Sequence, residues 1–428
     1  MPQKNSYLVL NLRKGAAEEQ VKQAYIELVK RYPPETHTDR FMVINRAYET
    51  LRDPEKRAKE DAFTFNYVEG QFSFTPEETV DDAAAAGLSH AIQDLEAKFE
   101  QNPADVQVTG DLLVAFMRRS YQNVKRKLWA EAIKDWQAVL NLDATNRRAK
   151  NNLNHSYINL GYYYALHDLY PEAIDLWERA LQMNPDNLPI IHNLALAYEN
   201  TGQDEQASRY WGEAIRRWKL ALDQNSDDVY LKTLIIEVHK HHGGKALDSV
   251  QRDSESALQE YREILKINPT DFEARYQIAA TYMEEKKYEE AVKELESLRQ
   301  QFPNNVEVLN LLGWALINNG HVEQAFRIWQ RGLQVDGKNA EMRNSIVRAR
   351  TSLGKRCREG GQYTVALVHL KELLKLLPNN DDVFFEIGET YRMKGDFRSA
   401  IAQYNLALAT NPKNKFARKA LSEMKLRR

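Results

Sequence analysis

Apolar residues recur along most of the chain at the three- and four-residue intervals of a helix face, and one longer spacing repeats on top of them. A glycine or alanine is followed twelve residues later by an alanine, four later by a bulky side chain, and eight later by proline or a substitute. It reads Gly161, Ala173, Trp177, Pro185; then Ala279, Ala291, Leu295, Pro303; then Gly313, Ala325, Trp329, Gly337. Gly354, Ala366, Leu370, Pro378 and Gly388, Ala400, Tyr404, Pro412 complete the series, with a weaker copy at Ala195, Ala207, Trp211, Lys219. Gly161 to Ala195, Ala279 to Gly313 and Gly354 to Gly388 are each 34 residues apart. The spacing predicts helical hairpins. A small residue lets the two helices approach, the bulky one lies a turn along the same face, and proline ends the unit. One hairpin cannot bury its apolar face alone, so neighbours must stack.

The pattern resembles the tetratricopeptide repeat, which implies an all-α, right-handed superhelix with first helices lining a concave groove. Half-copies at Ala91, Leu95, Pro103 and at Ala132, Trp136, Ala144 extend it upstream. Ala257, Tyr261 and Pro269 follow an irregular stretch, 222–256, and seven extra residues at 147–153 and 340–346 lengthen helices. The expected organisation is a solenoid of roughly eight hairpins over 88–414, irregular at 222–271. A capping helix, 415–428, should carry an apolar face of Phe416, Ala420 and Met424.

Residues 5–61 lack this spacing. Val21, Ala24, Tyr25, Leu28 and Tyr32 mark one amphipathic helix, and Phe41, Ile44, Tyr48 and Leu51 a second. Pro33-Pro34-Glu35-Thr36-His37-Thr38 breaks the helix between them, and Pro54 suits the first turn of a third. Tyr7, Leu10, Ala24-Tyr25, Leu28, Ile44-Asn45, Ala47-Tyr48 and Asp53-Pro54-Glu55-Lys56-Arg57 resemble the J domain of the DnaJ class, which stimulates Hsp70. The resemblance places a J-like domain at 1–65. It also implies a His-Pro-Asp loop where this chain has Pro33, Pro34 and Glu35. Pro33 offers neither imidazole nor backbone N–H, so the expected domain is J-like in fold and unable to stimulate ATP hydrolysis. Lys22, Lys30 and Arg31 leave docking without stimulation open.

A linker is expected at 66–87. Within 62–87 the composition turns aromatic, then acidic, then alanine-rich. Its rings either pin the segment onto its neighbours or bind a partner.

Composition narrows the chemistry. The chain has 428 residues, 43% hydrophobic and 28% charged, with a net charge of −2, so no global field argues for nucleic acid or membrane. The single cysteine, Cys357, excludes an internal disulfide and a cysteine-built zinc site, and its helix position suits a core residue. The start, MPQKNSYLVLNLRKG, has too short an apolar run for a signal peptide, and no stretch is long enough to span a membrane. A cytoplasmic protein is the expectation. No phosphate-binding glycine loop, nucleophile elbow or metalloprotease motif occurs. The histidines of His239-Lys240-His241-His242-Gly243-Gly244 read as a helix end stopped by glycine rather than a metal site. No enzyme, cofactor or metal is expected.

Positions around each small residue of the first helices should face the groove. They give Tyr162, Tyr276 and Trp314 as an aromatic wall, and Arg348, Lys355 and Arg358 of the basic stretch 343–358, with Arg392 following in the next repeat. Aromatic surface suits protein recognition and the cations suit an acidic segment. The stretch does not meet the carboxylate-clamp pattern of co-chaperone repeats, since Thr351 and Glu389 stand where cations are required. The expected function is an assembly or chaperone-like scaffold holding a protein or peptide partner. The alternatives are a genuine Hsp70 co-chaperone and, against the apolar and acidic groove positions, an RNA-binding repeat.

Overall fold

The computed structural model describes residues 5–67, 70–79 and 87–425, and regular structure within them is helical. Four helices form the head: α1 (Ser6–Val9), α2 (Glu18–Arg31), α3 (Thr38–Arg52) and α4 (Pro54–Asp61). Tyr7, Leu10, Val21, Ile44, Ala47 and Leu51 make its core, and Tyr25 stacks on Tyr48 at 4.1 Å. Asp53 caps α4 by accepting from the N–H groups of Glu55 and Lys56, with Pro54 in the first turn.

After a lone helix, α5 (Leu88–Gln101), the chain folds into eight hairpins. They are α6 (Val106–Lys125) with α7 (Trp129–Leu142), α8 (Arg147–Ala165) with α9 (Tyr170–Met183), and α10 (Leu188–Asn200) with α11 (Asp204–Gln224). Next come α12 (Val229–Asp248) with α13 (Ser254–Ile267), and α14 (Phe272–Glu284) with α15 (Tyr288–Gln301). The last are α16 (Val306–Asn318) with α17 (Val322–Val335), α18 (Ala340–Glu359) with α19 (Tyr363–Leu376), and α20 (Asp381–Lys394) with α21 (Phe397–Thr410). Helix α22 (Lys415–Lys425) follows. No helix among the described residues is long and apolar enough to cross a membrane. The chain divides into two compact units, 1–238 and 239–428, so the division falls within the solenoid.

The recurring small residue has a specific partner. A Cβ at Gly161 would lie 2.6 Å from the Trp177 ring, one at Gly313 2.2 Å from Trp329, and one at Gly388 2.6 Å from Tyr404. The bulky residue sixteen positions on therefore lies directly over the glycine of its own hairpin, and Trp177 and Trp329 are fully buried in that way, while Trp136, sixteen after Ser120, is fully buried and donates to Ser156 Oγ (3.1 Å). Asparagine or aspartate then starts each next hairpin, Asn146, Asn187, Asp271, Asn305, Asn339 and Asn380 each accepting from a first-turn N–H.

Three expectations are corrected. Glycine does not stop the helix at 243–244: α12 runs on to Asp248, because Gly243 is a packing position whose Cβ would meet the Tyr261 ring at 2.9 Å. In α22 the buried face is Ala417, Ala420 and Met424, while Phe416 is 68% exposed, its ring tilted against that of Phe385 at 5.9 Å. Cys357 is half-buried rather than in the core.

Candidate functional site: a polypeptide-binding face

The first unit's site is built where the segment after α4 crosses the first helices of three hairpins. Its aromatic residues descend the solenoid against chain order. Phe63 meets Trp211 of α11 (6.4 Å between ring centres), and Phe65 meets Trp177 of α9 (5.6 Å). Tyr67 meets Tyr162 of α8 (5.2 Å), Phe72 stacks on Trp129 of α7 (5.7 Å), and Phe74 lies against Tyr121 and Trp136 (5.0 and 5.7 Å). We call residues 62–67 and 70–79 the strap.

Two asparagines hold its main chain. Asn193 of α10 accepts from the Asn66 N–H (2.6 Å) and donates to the Asn66 carbonyl (2.9 Å). Asn152 of α8 does the same for Ser73, accepting from its N–H and donating to its carbonyl, both at 2.9 Å. Such pairing satisfies both polar groups of an extended residue, as a neighbouring β-strand would. Gly70 passes so close to His155 that an added Cβ would stand 2.9 Å from it. Beyond, Arg118 donates to the Glu77 carbonyl (2.9 Å) and Arg148 pairs with the buried Glu78 carboxylate (2.8 Å).

The strap begins at a buried polar knot. The Lys14 ammonium donates to the carbonyls of Asp61 (2.6 Å) and Thr64 (2.8 Å) and faces His192 Nδ1 at 3.4 Å. His192 Nε2 donates to the Ala62 carbonyl (2.9 Å), which leaves Nδ1 as the acceptor for the Asn66 amide (2.6 Å). Tyr230 donates to Asp61 (2.8 Å), and Arg57 donates to Tyr7 (3.0 Å) and stands 3.8 Å from Asp61. Burial pulls the Lys14 amine down to about 7, against the Asp61 carboxylate, and holds His192 well below the usual imidazole range, with Lys14 adding to the effect. Burial and then Asp61 push the hydroxyls of Tyr7 and Tyr230 above their ordinary range.

The sequence-derived positions fall into two groups. Tyr162 lies under Tyr67, with burial raising its hydroxyl pKa, so this part of the face is already occupied. The others belong to the second unit. Tyr276 is half-buried and stacks on Phe272 at 5.8 Å. Trp314 is half-buried, donates to Ser345 Oγ (3.1 Å) and carries the exposed Arg348 over its ring at 5.5 Å. Lys355 and Arg358 both reach Glu386, Lys355 at 3.4 Å, and Arg392 pairs with Glu389 at 2.6 Å. Burial works to raise the Glu389 carboxyl, but Arg392 and Tyr404 hold it below its usual range. Lys355 and Arg358 are thus neutralised by an acid of the next hairpin, and Arg392 by one of its own helix. His239 faces Glu260 at 2.5 Å, and among the described residues no group of three potential metal ligands forms.

Sequence reading missed Asn152 and Asn193. Asn193 stands two residues before the small residue of its hairpin, and Asn152 nine before Gly161, one of the additional turns of α8. In the head, the Pro33 carbonyl accepts from Thr36 and His37, and Glu35 is exposed.

The DnaJ domain profile matches residues 5–61, and tetratricopeptide repeat profiles match 176–207, 251–300, 282–346 and 351–415. Chaperone protein DnaJ of Carboxydothermus hydrogenoformans is 40% identical over 73 residues, 16% of this chain and 19% of that protein. The Clostridium tetani protein of that name is 41% identical over 69 residues, 15% and 18% of the two chains. The chain thus spans about a fifth of these relatives' length. Among solved structures, the C-terminal part of a TPR repeat-containing protein from Cytophaga hutchinsonii is 17% identical, covering 61% of this chain and 98% of its own, with a TM-score of 0.35. YrrB, described as a TPR protein with an unusual peptide-binding site, is 22% identical over 47% and 96% of the chains, with a TM-score of 0.30. A DnaJ domain is here followed by multiple tetratricopeptide repeats, modules of protein interaction and chaperone work rather than of enzymes.

Proposed function

We propose that this chain, a DnaJ-type domain joined to tetratricopeptide repeats, is a non-enzymatic scaffold of the assembly or chaperone-like kind that holds an extended partner polypeptide. The observation that carries this reading is the strap itself: the first-helix face already grips one extended segment by its main chain. Tyr276, Trp314 and Arg348 offer a partner the corresponding face of the second unit, with Lys355, Arg358 and Arg392 beside them. Central aromatic anchors carry much of such binding, so Trp314→Ala should weaken partner capture by on the order of 2 kcal/mol. Capture unchanged by Trp314→Ala would remove this face from the reading.

The head, with Pro33-Pro34-Glu35 in its loop, should bring no ATPase stimulation. A second reading, a true Hsp70 co-chaperone, is favoured by the exposure of Lys22, Lys30 and Arg31 on α2. Steady-state ATP hydrolysis by a cognate Hsp70 separates the two. An unchanged rate with the full chain supports the scaffold, and a several-fold rise supports the co-chaperone.

A further inference from the structure

The rings of the strap are less buried than the side chains they cover. Phe65, Tyr67, Phe72 and Phe74 are only half-buried, whereas Trp136 and Trp177 beneath them have no exposed surface. Trp177 packs on Gly161 of its own hairpin as well as against Phe65 of the strap. What fixes the strap is general to any extended chain: two asparagine pairs to backbone, and hollows for rings at alternate residues, 63, 65 and 67, then 72 and 74. A carboxylate four residues beyond the last ring completes it on Arg148.

We propose that the first-unit face is a binding site for an extended polypeptide with aromatic side chains at alternating positions and an acidic residue after them, and that the strap is its resident ligand, displaced when such a partner segment binds. The inference deepens the scaffold reading by naming the partner's chemistry. The second unit does not repeat the site. Two residues before its small positions stand Gln277, Leu311, Ser352 and Glu386, and Gln277 is engaged by Glu273 at 2.7 Å. Nine before Gly354 stands Ser345, spent on Trp314. The two anchors of the first unit lie seven strap residues apart and on first helices of adjacent hairpins, so an incoming segment can replace one half of the strap before the other. That route lowers the barrier to exchange, because both anchors need not open together.

The test uses the full chain and a labelled synthetic peptide of the sequence of residues 62–79. In a strap-disabled variant, Phe65→Ser with Phe72→Ser and Phe74→Ser, the peptide should bind at least about ten-fold more tightly than to the natural chain, as relief of an intramolecular competitor requires. Adding Asn152→Ala and Asn193→Ala should abolish that binding, and a peptide with serine in place of its rings should not bind. No binding to the folded variant, or binding indifferent to the two asparagines, overturns the proposal. If the variant does not fold, hydrogen exchange in the natural chain decides. Saturating peptide should release the Asn66 and Ser73 amides to exchange, and unchanged protection overturns the proposal. A concentration-dependent dimer formed through the strap would also overturn it, in favour of self-association. Peptide binding here and partner capture through Trp314 are independent readouts, so the failure of one leaves the other standing.

Discussion

The first-helix faces of the two units are made by the same repeat and treat their polar groups in opposite ways. In the first unit the amide side chains of Asn152 and Asn193 face outward to a peptide backbone, and that backbone is present, supplied by residues 66 and 73. In the second unit the polar groups at this level are turned on one another: Lys355 and Arg358 on Glu386, Arg392 on Glu389, Trp314 on Ser345. Neutral amides can pair with a main chain at little desolvation cost, whereas a charged pair must give up its partner before it can bind anything else. The repeat fixes the helices, and the polar residues riding on them decide whether a face is a backbone reader or a self-satisfied surface.

The largest difference should follow from removing Lys14. Its buried ammonium satisfies two carbonyls and faces His192, in a cluster that also holds Arg57 and the Asp61 carboxylate. Lys14→Met leaves those acceptors unpaired, a loss of about 3 kcal/mol for a buried charge network broken from one side. Urea unfolding followed by hydrogen exchange should show the head and strap opening while α14 to α21 keep their protection. Equal loss across both units would mean that the knot is not a local device of the first.

Most of the architecture was legible, because hairpin packing is written in a period. Gly161, Trp177, Gly313 and Trp329 announce their own contacts by spacing. Gly243 was misread for the same reason: it stands eighteen residues before Tyr261, not sixteen, so the period did not flag it and the glycine pair looked like a helix stop. The site was much less legible. Tyr162 was placed on the right face, but nothing periodic shows that Tyr67 covers it, since the strap pairs with residues about 40 to 150 positions away by no local rule. The cations at 355 and 358 were visible, yet their neutralisation depends on Glu386 of the next hairpin, which a reading of single segments does not join to them; the Arg392–Glu389 pair, three residues apart on one helix, was within reach of such a reading.

Acid should sharpen the contrast next. The folded pKa values of His192 and Lys14 are both depressed, so the unfolded chain binds more protons than the folded one and stability rises with pH. For His192 the contribution is complete above the unfolded imidazole value and drains away as pH falls below it, by up to about 1.4 kcal/mol per pH unit. For Lys14 the window lies higher, between about 7 and the ordinary amine value. The second unit's counterpart is the buried His369, held down by burial and then Arg350 but less strongly than His192. Thermal melts from pH 8 to 5 should therefore lower the first unit's transition more than the second's, and His192→Gln should flatten the slope below pH 6.5. Parallel shifts in both units would break this account.

The smallest effect tests the self-satisfied face. Glu386 accepts from the exposed Lys355 and the half-buried Arg358, and is itself half-buried; Glu386→Gln, which keeps an acceptor oxygen, should cost stability about 1 kcal/mol. Its consequence should be electrostatic instead. Two cations released beside the exposed Arg348 turn a neutralised patch into a basic one, and a short poly-glutamate peptide should then bind several-fold more tightly than to the natural chain. That gain should be clear at ~0.05 M salt and largely gone at ~0.5 M, as the Debye length shrinks to a few ångströms. If the natural chain holds the acidic peptide as well as Glu386→Gln does, Glu386 is not competing for those cations. The second unit would then present an anion-binding face as it stands, and the two units would differ in which polymer they read rather than in whether they read one.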